Sequence, residues 1–208
     1  MKTIQLNVGR MGNMSYIIYD EENLSAAFVD PSWEPEKITG AASDRKLKPS
    51  CVLLTHGHDD HVNAVPELLK IFPGLPVYMD AKDDYCLKNG FPGHLPLTDG
   101  KEIADFPYLR TLSTPGHTPG SVCFVSENEI FTGDTLFVGA CGRWDLPGSD
   151  GTALGLSLEK IGGLPDRLKV YTGHDYNGNL STLAREKRFN GYLRFCIENG
   201  GKRFSELM

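Results

Sequence analysis

The sequence predicts an α+β fold in which two β-sheets pack together with helices on the outside. Two runs of short apolar strands, each punctuated by helical stretches, carry that prediction. No linker or low-complexity segment interrupts the 208 residues, so 1–208 reads as one domain. A third observation locates the chemistry. The run Thr55-His56-Gly57-His58-Asp59-Asp60-His61 follows an apolar strand directly and gathers three imidazoles and their carboxylates in one turn.

Ile4, Leu6 and Val8 alternate with polar residues and predict a strand. Strands over 16–19 and 26–29, separated by the turn-like Asp20-Glu21-Glu22-Asn23, complete an antiparallel meander. Residues 35–42 predict a short helix. Cys51-Val52-Leu53-Leu54 is a continuous apolar run, as expected of a strand buried on both faces. Val65, Leu68, Leu69 and Phe72 then fall at helical spacing with Pro66 in the first turn, which sets the histidine run between a buried strand and a helix. Asp80 is expected to cap a helix over 81–89 closed by Gly90. Further strands are predicted at 76–79, 101–106, 110–112, 121–125, 129–132 and 169–172, and helices at 152–161 and 182–190. The aromatic segment Tyr192-Leu193-Arg194-Phe195, with Cys196 and Ile197, has two uses open to it: packing on the domain or against a second chain, so a monomer and a homodimer both remain open.

Composition excludes several classes. A net charge of -6 with no extended Lys/Arg face argues against nucleic acid; the most basic stretch, Arg185-Glu186-Lys187-Arg188, is short and interrupted by a carboxylate. A hydrophobic content of 40% with 23% charged residues is that of a globular protein, and no span approaches transmembrane length. The alternating start, Met1 to Val8, lacks the apolar core of a signal peptide. Five dispersed cysteines without a Cys-x-x-Cys pair offer neither a disulfide framework nor a thiolate zinc knot, which points to a reducing cytoplasm.

Imidazole nitrogen and carboxylate oxygen hold Zn²⁺, Fe²⁺ or Mn²⁺ in open coordination, whereas closed structural zinc sites lean on cysteine. Three further residues share the address of the histidine run. His117 lies in the Gly/Pro loop Thr114-Pro115-Gly116-His117-Thr118-Pro119-Gly120, Asp134 in Thr132-Gly133-Asp134-Thr135, and His174 in Thr172-Gly173-His174-Asp175, each just beyond the carboxyl end of a predicted strand. A sheet brings such loops onto one rim. Gly57, Gly116, Gly133 and Gly173 suit sharp post-strand turns. His94, in Phe91-Pro92-Gly93-His94-Leu95-Pro96, lacks that context and reads as a surface loop residue.

The pattern His56-x-His58-x-Asp60-His61, followed by His117, Asp134 and His174, resembles the metallo-β-lactamase superfamily. The resemblance implies an αββα sandwich of two mixed β-sheets flanked by helices. It implies that His56, His58 and His117 bind one metal ion, that Asp60, His61 and His174 bind a second, and that Asp134 bridges them; Asp59 falls at the variable position. The bridging Asp134, the pair Asp60-His61 and the segments Thr132 to Phe137 and Cys141-Gly142-Arg143 are similar to the glyoxalase II branch. That branch implies a metal-dependent thioesterase in which a metal-bridging hydroxide attacks an acyl carbonyl, Asp60 and Asp134 orienting it as well as binding metal. The ions expected are two divalent cations, Zn first, with Fe or Mn as other candidates.

The substrate expected is a small thioester or related thiol-derived molecule, with Arg143, Trp144 and Tyr176 as candidate contacts beside the metal motifs. Cys141 reads as a packed small residue, not a nucleophile. Compared with full-length glyoxalase II, the chain ends before the C-terminal helical region with which that enzyme grips glutathione, which leaves the thiol carrier open. A rival resemblance is to persulfide dioxygenases, on Cys141-Gly142-Arg143 and His174-Asp175-Tyr176 followed by Gly178. There His56, His117 and Asp134 would hold a single Fe(II) by a two-histidine, one-carboxylate face. Leu146-Pro147-Gly148-Ser149-Asp150 and Glu186-x-x-x-Asn190-x-Tyr192-Leu193 look instead like small single-domain hydrolases of the superfamily. A non-catalytic binding module with this fold is the weakest reading, because it needs no intact open metal site.

Overall fold

The computed structural model describes residues 1–86, 94–103 and 106–207. The chain divides into two compact units, Met1–Leu97 and Thr98–Met208, each built on a six-stranded mixed sheet.

In the first unit, β1 (Lys2–Val8), β2 (Asn13–Tyr19) and β3 (Ser25–Val29) form the predicted antiparallel meander. The turn between β2 and β3 forms because the Asp20 carboxylate accepts the backbone N–H groups of Glu22 and Asn23. α1 (Pro35–Ser43) then crosses to β4 (Lys48–Leu53), which runs parallel to β3. The histidine run opens the short α2 (Asp59–Val62), followed by α3 (Val65–Ile71), and β5 (Val77–Met79) and β6 (Leu95–Pro96) extend the sheet in parallel. Ile17, Phe28, Val52 and Val77 pair in register across four strands and make one apolar lane. Ile38 and Ala42 of α1 and Val65 and Leu68 of α3 belong to the same buried cluster. Each large side chain buried there contributes roughly 1.5–3 kcal/mol.

The predicted helix over 81–89 is a 3₁₀ turn, Ala81–Cys86, where described; its far end and Gly90 lie outside the described residues. Asp83 explains the tighter winding, because its carboxylate is fully buried and accepts the Gly57 N–H at 2.9 Å. A tertiary bond there outweighs helix propensity.

The second unit carries β7 (Glu102–Ile103), β8 (Phe106–Ser113), β9 (Val122–Val125), β10 (Glu129–Gly133), the small hairpin β11 (Leu136–Phe137) and β12 (Ala140–Cys141), α4 (Gly151–Gly162), β13 (Lys169–Thr172), β14 (Leu180–Thr182), α5 (Leu183–Phe189) and α6 (Gly191–Asn199). The strand predicted over 101–106 resolves into β7 and the start of β8, with 104–105 outside the described residues. The sheet order is β14-β13-β10-β9-β8-β7. Leu154, Leu158 and Ile161 of α4 form one face and enter a cluster with Val125, Ile130 and Val170 of the sheet.

The aromatic segment after 190 is a helix, α6, and Leu193 and Cys196 bury it in that same cluster. Asn190 starts this helix by accepting the N–H groups of Tyr192 and Leu193. Among the described residues no helix is long and apolar enough to cross a membrane.

Candidate metal centre

Sheet direction explains why the predicted ligands gather. In the second unit β8 and β10 are each antiparallel to β9, and β13 is parallel to β10, so β8, β10 and β13 all run the same way. Their carboxyl ends form one rim, and His117, Asp134 and His174 follow those ends. In the first unit β3, β4 and β5 are parallel, and Asp30 and His56 follow two of them.

In the second unit Asp134 is the centre of the group. Its Oδ2 lies 3.5 Å from His117 Nε2 and 3.4 Å from His174 Nε2. The Arg143 carbonyl lies 2.8 Å from His117 Nδ1 and can only accept, so Nδ1 carries a proton and a neutral ring presents its lone pair on Nε2. A lone pair and a carboxylate oxygen facing each other repel unless a proton or a metal cation lies between them. Loop bonds hold this geometry. Ser149 Oγ donates to the His117 carbonyl at 2.7 Å, Asp150 N to the Gly116 carbonyl at 2.8 Å, and Ser157 Oγ to the Pro115 carbonyl at 2.7 Å. The Leu146-Pro147-Gly148-Ser149-Asp150 motif is therefore a clamp on the His117 loop, and Asp150 also caps α4. A Cβ at Gly142 would lie 1.8 Å from the Asp134 carbonyl and 3.1 Å from His117 Nδ1, so this position admits only glycine.

In the first unit His56, His58, Asp60 and His61 cluster on the turn after β4. The His56 ring is 4.8 Å from that of His58 and 4.2 Å from that of His61. Asp60 Oδ2 lies 3.8 Å from His61 Nε2, and Asp59 is exposed. The buried Asp30 organises the cluster: it accepts Thr55 N at 2.7 Å and Thr55 Oγ1 at 2.6 Å, and lies 3.1 Å from His61 Nδ1. Because the Thr55 hydroxyl hydrogen goes to Asp30, its oxygen accepts from His56 Nδ1 at 3.1 Å. His56 and His61 thus both carry their protons on Nδ1 and offer Nε2, the arrangement that orients metal-binding imidazoles. Asp30, His56 and His61 also meet as a potential metal group, but the Asp30–His61 hydrogen bond makes Asp30 a supporting residue and not a ligand.

Asp30 is a residue of the candidate site that sequence reasoning missed. Its signal was present: it directly follows β3, the same post-strand address used to find the predicted ligands. The glycine reasoning holds for Gly116 (φ 141°) and Gly133 (φ 48°). Gly57 and Gly173 lie outside the left-handed region and serve through their N–H groups, to Asp83 and to the Gly133 carbonyl.

The three predicted substrate contacts have different surroundings. Tyr176 is 55% exposed and stacks on the His174 ring at 4.7 Å and 8°. Arg143 is exposed and held in a two-point ion pair by Asp145, which raises the Arg143 pKa and lowers that of Asp145. Trp144 packs its ring against Phe204 at 4.9 Å and Tyr192 at 6.0 Å. Burial pushes the Cys141 thiol up to about 12, so it is no nucleophile near neutral pH. His94 lies in a loop, as expected, with its Nε2 3.1 Å from the exposed Asp84.

The family model of the metallo-β-lactamase superfamily matches residues 8–174. A probable polyketide biosynthesis zinc-dependent hydrolase, BaeB of Bacillus velezensis, is 36% identical over 188 residues, which cover 89% of this chain and 83% of the relative. A hydroxyacylglutathione hydrolase of Salmonella arizonae is 36% identical over 190 residues, covering 88% of this chain and 71% of the relative. Among solved structures, ETHE1 from Myxococcus xanthus aligns with a TM-score of 0.82 and 28% identity, over 96% of this chain and 91% of that one.

Proposed function

The chain belongs to the metallo-β-lactamase superfamily, and from that membership and its donor set we propose that it is a metal-dependent hydrolase of the glyoxalase II type, a thioesterase acting on a small thiol-derived acyl substrate. In this reading His56, His58 and His117 would hold one divalent ion and Asp60, His61 and His174 a second, with Asp134 available to both. The carrying observation is Asp134 Oδ2 set between two imidazole Nε2 atoms at 3.5 and 3.4 Å. The donor set is all imidazole and carboxylate, which suits open, catalytic coordination. Zinc is the first candidate, in keeping with the zinc-dependent relative.

Divalent ions bound here would supply a water-derived nucleophile at neutral pH and electrophilic stabilisation of the acyl oxygen. The chain's own residues do the rest. Asp60 and Asp134 would accept hydrogen bonds from a water bound there and orient it. Asp30, through His61 and Thr55, keeps imidazole lone pairs turned toward the ions. Tyr176 offers an exposed face for the substrate and Arg143 a cation, while Trp144 backs the loop that carries Arg143. Both units act as one domain in this proposal. Cys51, Cys123, Cys141 and Cys196 are thiols and not disulfides, which suits a reducing cytoplasm.

The likeness to the ETHE1 structure favours one further reading, a single-iron persulfide dioxygenase using His56, His117 and Asp134. Asp134 is central to either chemistry. Asp134→Ala is expected to lower thioester hydrolysis by about 100-fold or more and to reduce bound metal. Full turnover with unchanged metal content in this variant would refute the site.

A further inference from the structure

A chain of side-chain hydrogen bonds in the first unit ends on Asp60. Asn13, at the start of β2, is 1% exposed and donates through Nδ2 to both the Asp60 carbonyl and Asp60 Oδ2, each at 2.9 Å. Its Oδ1 accepts the indole N–H of Trp33 at 2.9 Å. An indole nitrogen only donates, so it dictates which end of the amide faces it and leaves both amide hydrogens for Asp60. Two bonds from one amide to the backbone and side chain of a single residue fix that residue's rotamer.

Trp33 is itself held. It adopts φ 59°, a conformation uncommon for a bulky residue, while its backbone N–H donates to Asn63 Oδ1 at 2.6 Å. Its ring occupies the space over Gly9, where a Cβ would come within 2.4 Å of Cγ and Cδ1. Sheet direction brings these parts together: β2 is antiparallel to both β1 and β3, so the start of β2, the end of β1 and the end of β3 share one rim. A strained backbone persists when the surroundings over-determine it, and it clusters at functional sites.

We infer that Asn13 and Trp33 are positioning residues that set the Asp60 carboxylate for the second metal ion, Trp33 acting through the Asn13 amide. The inference rests on the reading of Asp60 as a ligand. It predicts that removing the indole N–H alone is felt at the metal, although that N–H donates to Asn13 and not to a proposed ligand.

The test uses the full chain freed of metal by chelation and titrated with Co²⁺, read by binding stoichiometry, affinity and the visible ligand-field spectrum, beside the unfolding temperature of the metal-free protein. Asn13→Ala should weaken one of two Co²⁺ equivalents by about 10- to 100-fold. Trp33→Phe keeps the ring over Gly9 and should alter the spectrum and weaken the same equivalent by a smaller factor. Asp60→Asn should lose that equivalent outright.

Wild-type Co²⁺ affinity and spectrum in Trp33→Phe, with one equivalent lost in Asp60→Asn, would overturn the positioning role and leave the ligand assignment intact. Two tight equivalents in Asp60→Asn would overturn both. A lower unfolding temperature in Trp33→Phe without a spectral change marks a merely structural part and counts against the inference. Trp33→Phe decides the matter even if Asn13→Ala fails to fold.

Discussion

Asp30 shows what a single residue does for this site. It is 2% exposed and its carboxylate lies within 3.1 Å of the Thr55 backbone N–H, the Thr55 hydroxyl and His61 Nδ1, which are donors that a neutral side chain cannot all satisfy. Asp30→Ala is expected to weaken metal binding by about 10- to 100-fold, measured by competition against a chromophoric chelator. Wild-type affinity would show that the imidazoles orient without it. Post-strand placement singled out the histidine run, His117, Asp134 and His174, and the superfamily resemblance then supplied the seven proposed ligands, Asp60 and not Asp59 among them. Asp30 and Asn13 were not named, because they act on residues 31 and 47 positions away, through bonds that only the folded sheet creates.

At the level of elements, the strands and helices with a clear apolar period were legible: β1, α1, β13 and α4 lie within one or two residues of their predicted bounds. The hairpin of β11 and β12, together with β14 and α6, was not. The hairpin strands are two residues each, too short for any period, and a buried polar group anchors them. Glu186, wholly buried, accepts the Gly139 N–H at 2.7 Å, the Ser181 hydroxyl and an Arg185 N–H at 2.9 Å, while Asn190 Nδ2 donates to the Phe137 and Ala140 carbonyls.

The Glu186-x-x-x-Asn190 motif, noted in the sequence without a role, thus anchors the hairpin that follows Asp134. Glu186→Ala strips the buried Ser181 hydroxyl of its acceptor and removes the shared partner of Gly139, Arg185 and Asn190, and is expected to cost about 1–3 kcal/mol in urea unfolding. A loss below about 0.5 kcal/mol would mean the network is incidental.

For the whole molecule, composition and charge narrowed the field before any motif was considered, and the order of four separated histidine and aspartate blocks then pointed to the superfamily that the comparisons bear out. Spacing alone does not reveal how many ions bind, since one iron needs only three of the seven candidate ligands. The central claim is a two-ion hydrolase. Its most direct test is metal analysis of protein purified without added metal, paired with thioester hydrolysis and with oxygen uptake on a persulfide. The account predicts two divalent ions per chain, thioester turnover and no oxygen consumption; one iron per chain with persulfide-dependent oxygen uptake would contradict it.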